Sequence, residues 1–120
     1  MKKLLSALLA PLLITALAVP LAAAEVTIVR GEITDLACSL SKGAAGKGDA
    51  HAVCAMDCAR NGGVMALLTD DAVYVIEGSY AADKNAKLLD FVAKKVEAKG
   101  TITERDGTRY INIAAMMVQK

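Results

Sequence analysis

The sequence has few residues of the kinds that bind nucleic acid. It contains no tryptophan, one phenylalanine and three tyrosines, and its formal charge at pH 7 is only +1. Nucleic-acid-binding proteins typically present a basic surface, and those that bind single strands add aromatic side chains on which bases stack. The composition therefore argues against a nucleic-acid partner.

Proline is also scarce, and both prolines lie among the first 20 residues. That segment starts with two lysines, continues as a Leu/Ala-rich run over residues 4–19, and ends in small residues before Ala24. A cationic start, an apolar middle and an Ala-x-Ala-like end are typical of a secretory signal peptide. An uncleaved membrane anchor is disfavoured, because the run is short for a bilayer and contains Pro11. We therefore expect residues 1–24 to be a signal peptide cleaved after Ala24, and the mature protein to be periplasmic or secreted, with no membrane segment.

Cysteine and histidine are few, and their number is unusual for an exported protein. There are three cysteines, Cys38, Cys54 and Cys58, and one histidine, His51. Exported domains that are held together by disulfides usually carry an even number of cysteines. Any disulfide scheme therefore leaves one thiol that must be buried, reactive or bound to something.

Residues 25–120 have the length of a single domain, and five segments within them have the alternating, β-branched pattern of strands. These segments are residues 25–35, 64–69, 72–77, 95–104 and 108–119. Gly31 interrupts the first segment and indicates a bulge or a bend. A helical pattern over residues 50–60 starts after a favourable N-cap, Asp49, and ends at the run Asn61-Gly62-Gly63.

A second amphipathic helix is predicted over residues 85–94, and a loop without periodicity over residues 39–49. Five strands with a helix between the third and the fourth are typical of the OB-fold, a small five-stranded barrel. The sequence thus predicts a mainly β (α+β) fold, an OB-like barrel in which a loop and helix, at about residues 38–62, are inserted after strand 1. A generic α+β roll is the alternative.

The inserted segment brings histidine and cysteine together at a regular spacing, His51-x2-Cys54-x3-Cys58. Successive helical residues turn by about 100°, so positions i, i+3 and i+7 lie within roughly 60° of one another. We expect His51, Cys54 and Cys58 to share one helical stripe, to which Cys38 comes from across the loop. Asp35 is a candidate hydrogen-bond acceptor for His51, although Asp at this position more commonly ends a strand.

A Cys3His cluster of Cys38, His51, Cys54 and Cys58 has the ligand types that Zn²⁺ and Cu⁺ prefer. A filled tetrahedral shell favours a structural, carrier or sensing role over catalysis, which normally needs an open position. Met56 and Met65 lie near in sequence and offer soft thioethers for copper. The sequence therefore predicts a metal-binding protein without catalytic residues.

Two alternatives use the same cysteines without a metal. In the first, Cys38 forms a disulfide with Cys54 or Cys58, and the domain is a disulfide-stapled module that engages another exported protein. In the second, the protein is a thiol–disulfide redox protein in which Cys54 is activated by His51 near a helix N-terminus. Its Cys-x3-Cys spacing, however, is not the Cys-x-x-Cys of thioredoxin-like motifs.

The chain also resembles a largely uncharacterised group of small exported bacterial proteins with an OB-like core. The matching residues are Gly31, Asp35, Cys38, His51, Cys54, Cys58, Gly62, Gly63, Leu68, Thr69, Lys95, Val96, Gly100 and Gly107. Such sequences often have a proline shortly after the paired glycines, where this chain has Val64. The resemblance implies an OB-like fold and a joint role for the three cysteines and the histidine, and it implies no particular activity.

Overall fold

The structure is a computed structural model that describes residues 25–42 and 48–120. The predicted signal peptide, residues 1–24, lies outside the described residues, as do residues 43–47 of the predicted loop. Within the described residues, no helix combines the length and the apolar character that a membrane crossing requires.

The described part of the chain is mainly β, and its five strands fall where the sequence predicts them. They are β1 (Val26–Asp35), β2 (Met65–Leu68), β3 (Val73–Glu77), β4 (Lys95–Arg105) and β5 (Thr108–Val118). Together they form one closed sheet in the order β1-β2-β3-β5-β4, and β4 pairs with β1 to close it. All pairings are antiparallel except the parallel pairing of β3 with β5.

β1 changes its partner along its length, and this change brings its C-terminal end to the candidate site. Val26 to Glu32 pair with β4, whereas Glu32 to Asp35 pair with β2. Gly31 lies at the change, where a Cβ atom would stand 2.5 Å from the Leu68 carbonyl oxygen. Real Cβ atoms do not approach backbone so closely, so this position of the strand requires glycine.

The hydrophobic core fills the interior of the closed sheet and extends under the inserted helix over Ala52–Arg60 and the segment between β3 and β4. Its fully buried larger side chains include Ile33, Met65, Leu67, Leu88, Val96, Ile111 and Ile113. Ala55 and Ala59 place one face of the inserted helix against this core. The insertion is therefore anchored to the sheet on its apolar side.

The inserted segment contains more helix than the sequence pattern indicates. Helix α1 (Leu36–Lys42) begins directly after β1, so the prediction of a loop from residue 39 is wrong at its start. The reason is local: the Cys38 backbone N–H donates to Asp35 Oδ2 at 3.0 Å, and the Ser39 hydroxyl donates to the Asp35 carbonyl at 2.8 Å. Asp35 thus acts as the N-cap of α1. A seven-residue helix has only a short amphipathic pattern through which packing can stabilise it, so its cap matters more.

The second inserted helix, α2 (Ala52–Arg60), follows a 3₁₀ turn, Asp49–His51. The predicted N-cap role of Asp49 is wrong, because Asp49 is the first residue of that turn and makes no cap hydrogen bond with its side chain. The predicted end is confirmed. The N–H groups of Gly62 and Gly63 donate to the carbonyls of Ala59 and Cys58 at 3.0 and 2.8 Å, as in a Schellman motif.

The predicted α-helix over residues 85–94 is wrong in type. The structure has a short kinked segment, α3 (Ala82–Asn85), and then a 3₁₀ helix, Ala86–Phe91. Asp83, Lys84 and Asn85 all have positive φ, which interrupts a right-handed α-helix. The Asn85 amide compensates by donating to the carbonyls of Ala59 and Gly63, at 3.0 and 2.9 Å, and so ties this segment to the end of α2.

Candidate metal centre

Asp35, the last residue of β1, is the side chain around which the site is arranged. It is only 2% exposed. Its Oδ2 accepts the Cys38 N–H, and its Oδ1 lies 2.6 Å from His51 Nε2. One carboxylate therefore fixes both the start of α1 and the orientation of the histidine ring. The sequence suggests Asp35 as an acceptor for His51 or as a strand-ending residue, and in the structure it serves as both.

The charge state of Asp35 determines which ring nitrogen of His51 can bind a ligand. Burial raises the pKa of this carboxyl, but hydrogen bonds from His51 and from the backbone and thiol of Cys38 outweigh burial and lower it below its ordinary value of 3.8. At neutral pH the group is a carboxylate, so Nε2–H of His51 is the donor in the short hydrogen bond. Nδ1 is then the ring nitrogen that can bind a ligand, and a carboxylate holding the other nitrogen is the usual arrangement of a metal-binding histidine.

Two thiols converge on this histidine from two different helices. Cys38 lies in the first turn of α1, and Cys54 lies in the first turn of α2, three residues after His51. The ligand atoms of Cys38, His51 and Cys54 all lie within 4.8 Å of one another. His51 is buried, Cys38 is half-buried and Cys54 is exposed, so the group opens to the surface on the Cys54 side.

Cys58, the fourth predicted ligand, lies one turn further along α2 and stands outside this group of three. Burial raises the pKa of the Cys58 thiol, and the negative charge of Asp35 and a side-chain hydrogen bond with Cys54 raise it further. Cys58 and Cys54 line the same groove along α2. All three cysteines belong to the described residues, and no disulfide joins them.

The two methionines that the sequence suggests as copper ligands have another role. Met65 is 1% exposed and belongs to the hydrophobic core, and Met56 packs against that core. Hydrophobic packing accounts for both side chains.

A shallow groove runs along α2 beside the cluster. Its lining includes Cys54 and Cys58, the exposed Val53 and the paired glycines that end the helix. The groove leads directly to the exposed thiol, so a molecule lying in it would contact Cys54 before Cys38 or His51.

The donor set fits a soft or borderline transition metal. Two thiolates and one imidazole nitrogen are ligands of Zn²⁺ and Cu⁺, whereas hard cations such as Mg²⁺ and Ca²⁺ take oxygen ligands. A compact group of sulfur and nitrogen donors of this kind can hold one ion. No protein-family model, curated protein or solved structure matches the chain.

Proposed function

We propose that this protein is an exported metal-binding protein that holds one Zn²⁺ or Cu⁺ ion with Cys38, His51 and Cys54. The observation that supports it is the convergence of three soft donors within 4.8 Å, from two separate helices, on a buried histidine held by a carboxylate. Hydrophobic packing alone does not require a histidine and a carboxylate to be buried together beside two thiols.

Cys58 completes the proposed site as the fourth ligand. It lies one turn after Cys54 on α2 and lines the same groove, and a Cys3His set is a usual closed shell for zinc. Because the pKa of the Cys58 thiol is raised, a metal ion must displace its proton to bind it. Metal affinity should therefore fall with decreasing pH more steeply in the wild type than in a Cys58→Ser variant.

The proposed role is structural, sensing or carrier, without catalysis. The ion would link α1 to α2, two short helices that already meet at the Asp35 carboxylate. We further propose that the closed sheet is an OB-like barrel. The strand order, the helical segment between β3 and β4 and the insertion after β1 support this assignment, as does the resemblance to small exported OB-like proteins.

Metal titration of matched variants tests the proposal. The reduced protein, freed of metal by a chelator, is titrated with Co²⁺ as a spectroscopic probe and then with Zn²⁺ in competition with a chromophoric chelator. We expect one ion per chain, with thiolate-to-cobalt absorption. In His51→Ala the zinc affinity should fall by at least about 100-fold, because changing a residue that only hydrogen-bonds to a metal ligand already costs about 10–100-fold. Val53→Ala is the control, because Val53 is 76% exposed on the same helix.

The variants also show how many side chains bind the ion. If Cys58 is a ligand, Cys58→Ser weakens zinc binding and lowers the thiolate-to-cobalt absorption, whereas an unchanged spectrum would reduce the site to three protein ligands. Unchanged affinity in both His51→Ala and Cys54→Ser would overturn the proposal. The alternative function, a disulfide-stapled module that binds another exported protein, would then be favoured.

A further inference from the structure

Cys54 has the placement of an attacking thiol. It is the exposed member of the cluster, and it lines the groove along α2 together with the exposed Val53. Thiol–disulfide exchange requires access of an outside disulfide to the attacking sulfur. The groove gives that access to Cys54, the exposed thiol, and also reaches the half-buried Cys58, whereas the half-buried Cys38 is not part of its lining.

Cys38 has the placement of the second, resolving thiol. Its sulfur lies within 4.8 Å of the Cys54 sulfur and comes from a different helix, α1. A disulfide has an S–S length of about 2.05 Å, so forming the bond requires the two sulfurs to move closer together. Cys58 is less suitable, because residues four apart on one regular helix rarely reach disulfide geometry without strain.

We propose that the metal-free protein reduces disulfides of exported peptides or proteins, with Cys54 as the attacking thiol and Cys38 as the resolving thiol. This activity requires no bound ion, so it stands independently of the proposed metal binding. The two proposals differ in what they require of Cys58. In the proposed metal site this thiol is a ligand, whereas in the exchange reaction it takes no part and remains a thiol.

The reaction balances without a further reagent. Cys54 loses its proton to solvent and attacks one sulfur of the substrate R–S–S–R′, forming Cys54–S–S–R and releasing R′–S⁻, which takes up a proton. Cys38 loses its proton and attacks the Cys54 sulfur, forming the Cys38–Cys54 disulfide and releasing R–S⁻, which is protonated in turn. One substrate disulfide is reduced to two thiols, and two protein thiols are oxidised to one disulfide.

Oxidised glutathione serves as the probe. The full chain is reduced, freed of metal and incubated with glutathione disulfide, and the products are alkylated and mapped by mass spectrometry. We expect a Cys38–Cys54 disulfide, an alkylated Cys58 and two molecules of glutathione released per chain. Recovery of a Cys54–Cys58 or a Cys38–Cys58 disulfide as the main product, or no reaction at Cys54, would overturn the proposal.

Two serine variants separate the roles of the cysteines. Cys58→Ser should react as the wild type does, with two molecules of glutathione released. Cys38→Ser should stop at the mixed disulfide of Cys54 with glutathione and release one molecule, half the wild-type amount. Full release from Cys38→Ser would contradict the resolving role. The mapped wild-type product decides the pairing even if Cys38→Ser does not fold. Metal content measured on a separate reduced sample shows whether the metal proposal stands when this one fails.

Discussion

Replacing Asp35 by asparagine should weaken one of two contacts in the metal centre. In the wild type one carboxylate oxygen accepts the Cys38 N–H at 3.0 Å, and the other accepts from His51 Nε2 at 2.6 Å. Asparagine has the same shape but only one acceptor oxygen, so its NH₂ group must face one of these two donors. Either the NH₂ group faces the Cys38 N–H and the cap of α1 is lost, or it donates to His51 Nε2, which puts the ring proton on Nδ1 and takes that nitrogen away from a metal ion.

The size of the effect follows from these two contacts. A lost N-cap costs about 1 kcal/mol, and a hydrogen bond to a charged group contributes about 1.5–3 kcal/mol. Because asparagine can keep one of the two contacts, we expect Asp35→Asn to lower the free energy of unfolding by roughly 1–3 kcal/mol, the cost of losing the other contact. In a preparation that remains folded, zinc affinity should fall about 10–100-fold, as for other residues that orient metal-binding histidines.

The assays are urea unfolding and zinc competition on the same preparations. Asp57→Asn is the matched control, because Asp57 lies between Cys54 and Cys58 and is exposed, so the charge change is the same without the buried contacts. The control should change both quantities little. If Asp35→Asn left the unfolding free energy within 0.5 kcal/mol of the wild type, roughly the range of surface substitutions, the capping and orienting roles of Asp35 would be refuted.

The pH dependence supplies a second check on the same variant. The folded-state pKa of Asp35 lies below its ordinary value of 3.8, so its charge contributes stability that is fully present well above that value. This contribution is lost as the pH falls below 3.8 through the folded-state pKa. The stability difference between wild type and Asp35→Asn should therefore shrink as the pH falls below 3.8. A difference that grew in acid would contradict the sign.

Three further predictions concern the scaffold and the choice of metal ligands. Asn85→Ala removes two side-chain hydrogen bonds to the end of α2 and leaves two carbonyls without that donor. It should lower the free energy of unfolding, measured in urea, by about 2–3 kcal/mol. Replacing the exposed Asn61 by alanine is the control and should lower it less. Gly100→Ala would place a Cβ atom 2.4 Å from the Asn112 carbonyl oxygen, beside the register shift of β4 and β5. It should lower the melting temperature by an amount corresponding to about 1–3 kcal/mol. An unchanged melting temperature would mean that the two strands can move apart there without cost. Met56→Leu should leave copper and zinc affinities unchanged, because Met56 packs against the core, and a selective loss of copper affinity would restore its thioether as a ligand.

The strands were predictable because their evidence is local. Alternation of β-branched and polar residues, with turns such as Asp106-Gly107, places all five within a residue or two of their bounds in the structure. Gly31 also stood out in the sequence, as a predicted bulge or bend, and the structure has a change of partner there within a continuous strand. The physical cause was not visible in the sequence, because the close approach of the Leu68 carbonyl belongs to the pairing of β1 with β2.

The helices were less predictable than the strands, because one is very short and the segment after β3 depends on contacts between residues that are distant in sequence. α1 is too short for a periodic pattern, and the one signal that could have revealed it is Asp35, a favourable N-cap residue whose side chain accepts the N–H three residues later. The segment after β3 has apolar residues at helical spacing, and Leu88 is indeed buried. It is not an α-helix, because Asp83 and Lys84 have positive φ and Asn85 bonds to the end of α2, contacts that the sequence does not reveal.

The candidate site was predictable in composition and less so in geometry. The spacing predicted one stripe for His51 and Cys54, with Cys38 coming to it from across the loop, and these three residues lie together in the structure. His51 lies in a 3₁₀ turn and not within α2, so the helical wheel that placed Cys58 on the same stripe does not apply to all three residues. The joint hold of one carboxylate on a helix start and on a histidine ring is a tertiary arrangement that spacing alone does not specify.

The most direct test of metal binding is elemental analysis with a thiol count on protein purified from the exported fraction without chelator. We expect about one zinc or copper ion per chain, and three reactive thiols per chain after denaturation and chelation. Absence of metal together with one reactive thiol per chain would contradict the metal-site assignment and would show that two of the cysteines form a disulfide in the purified protein.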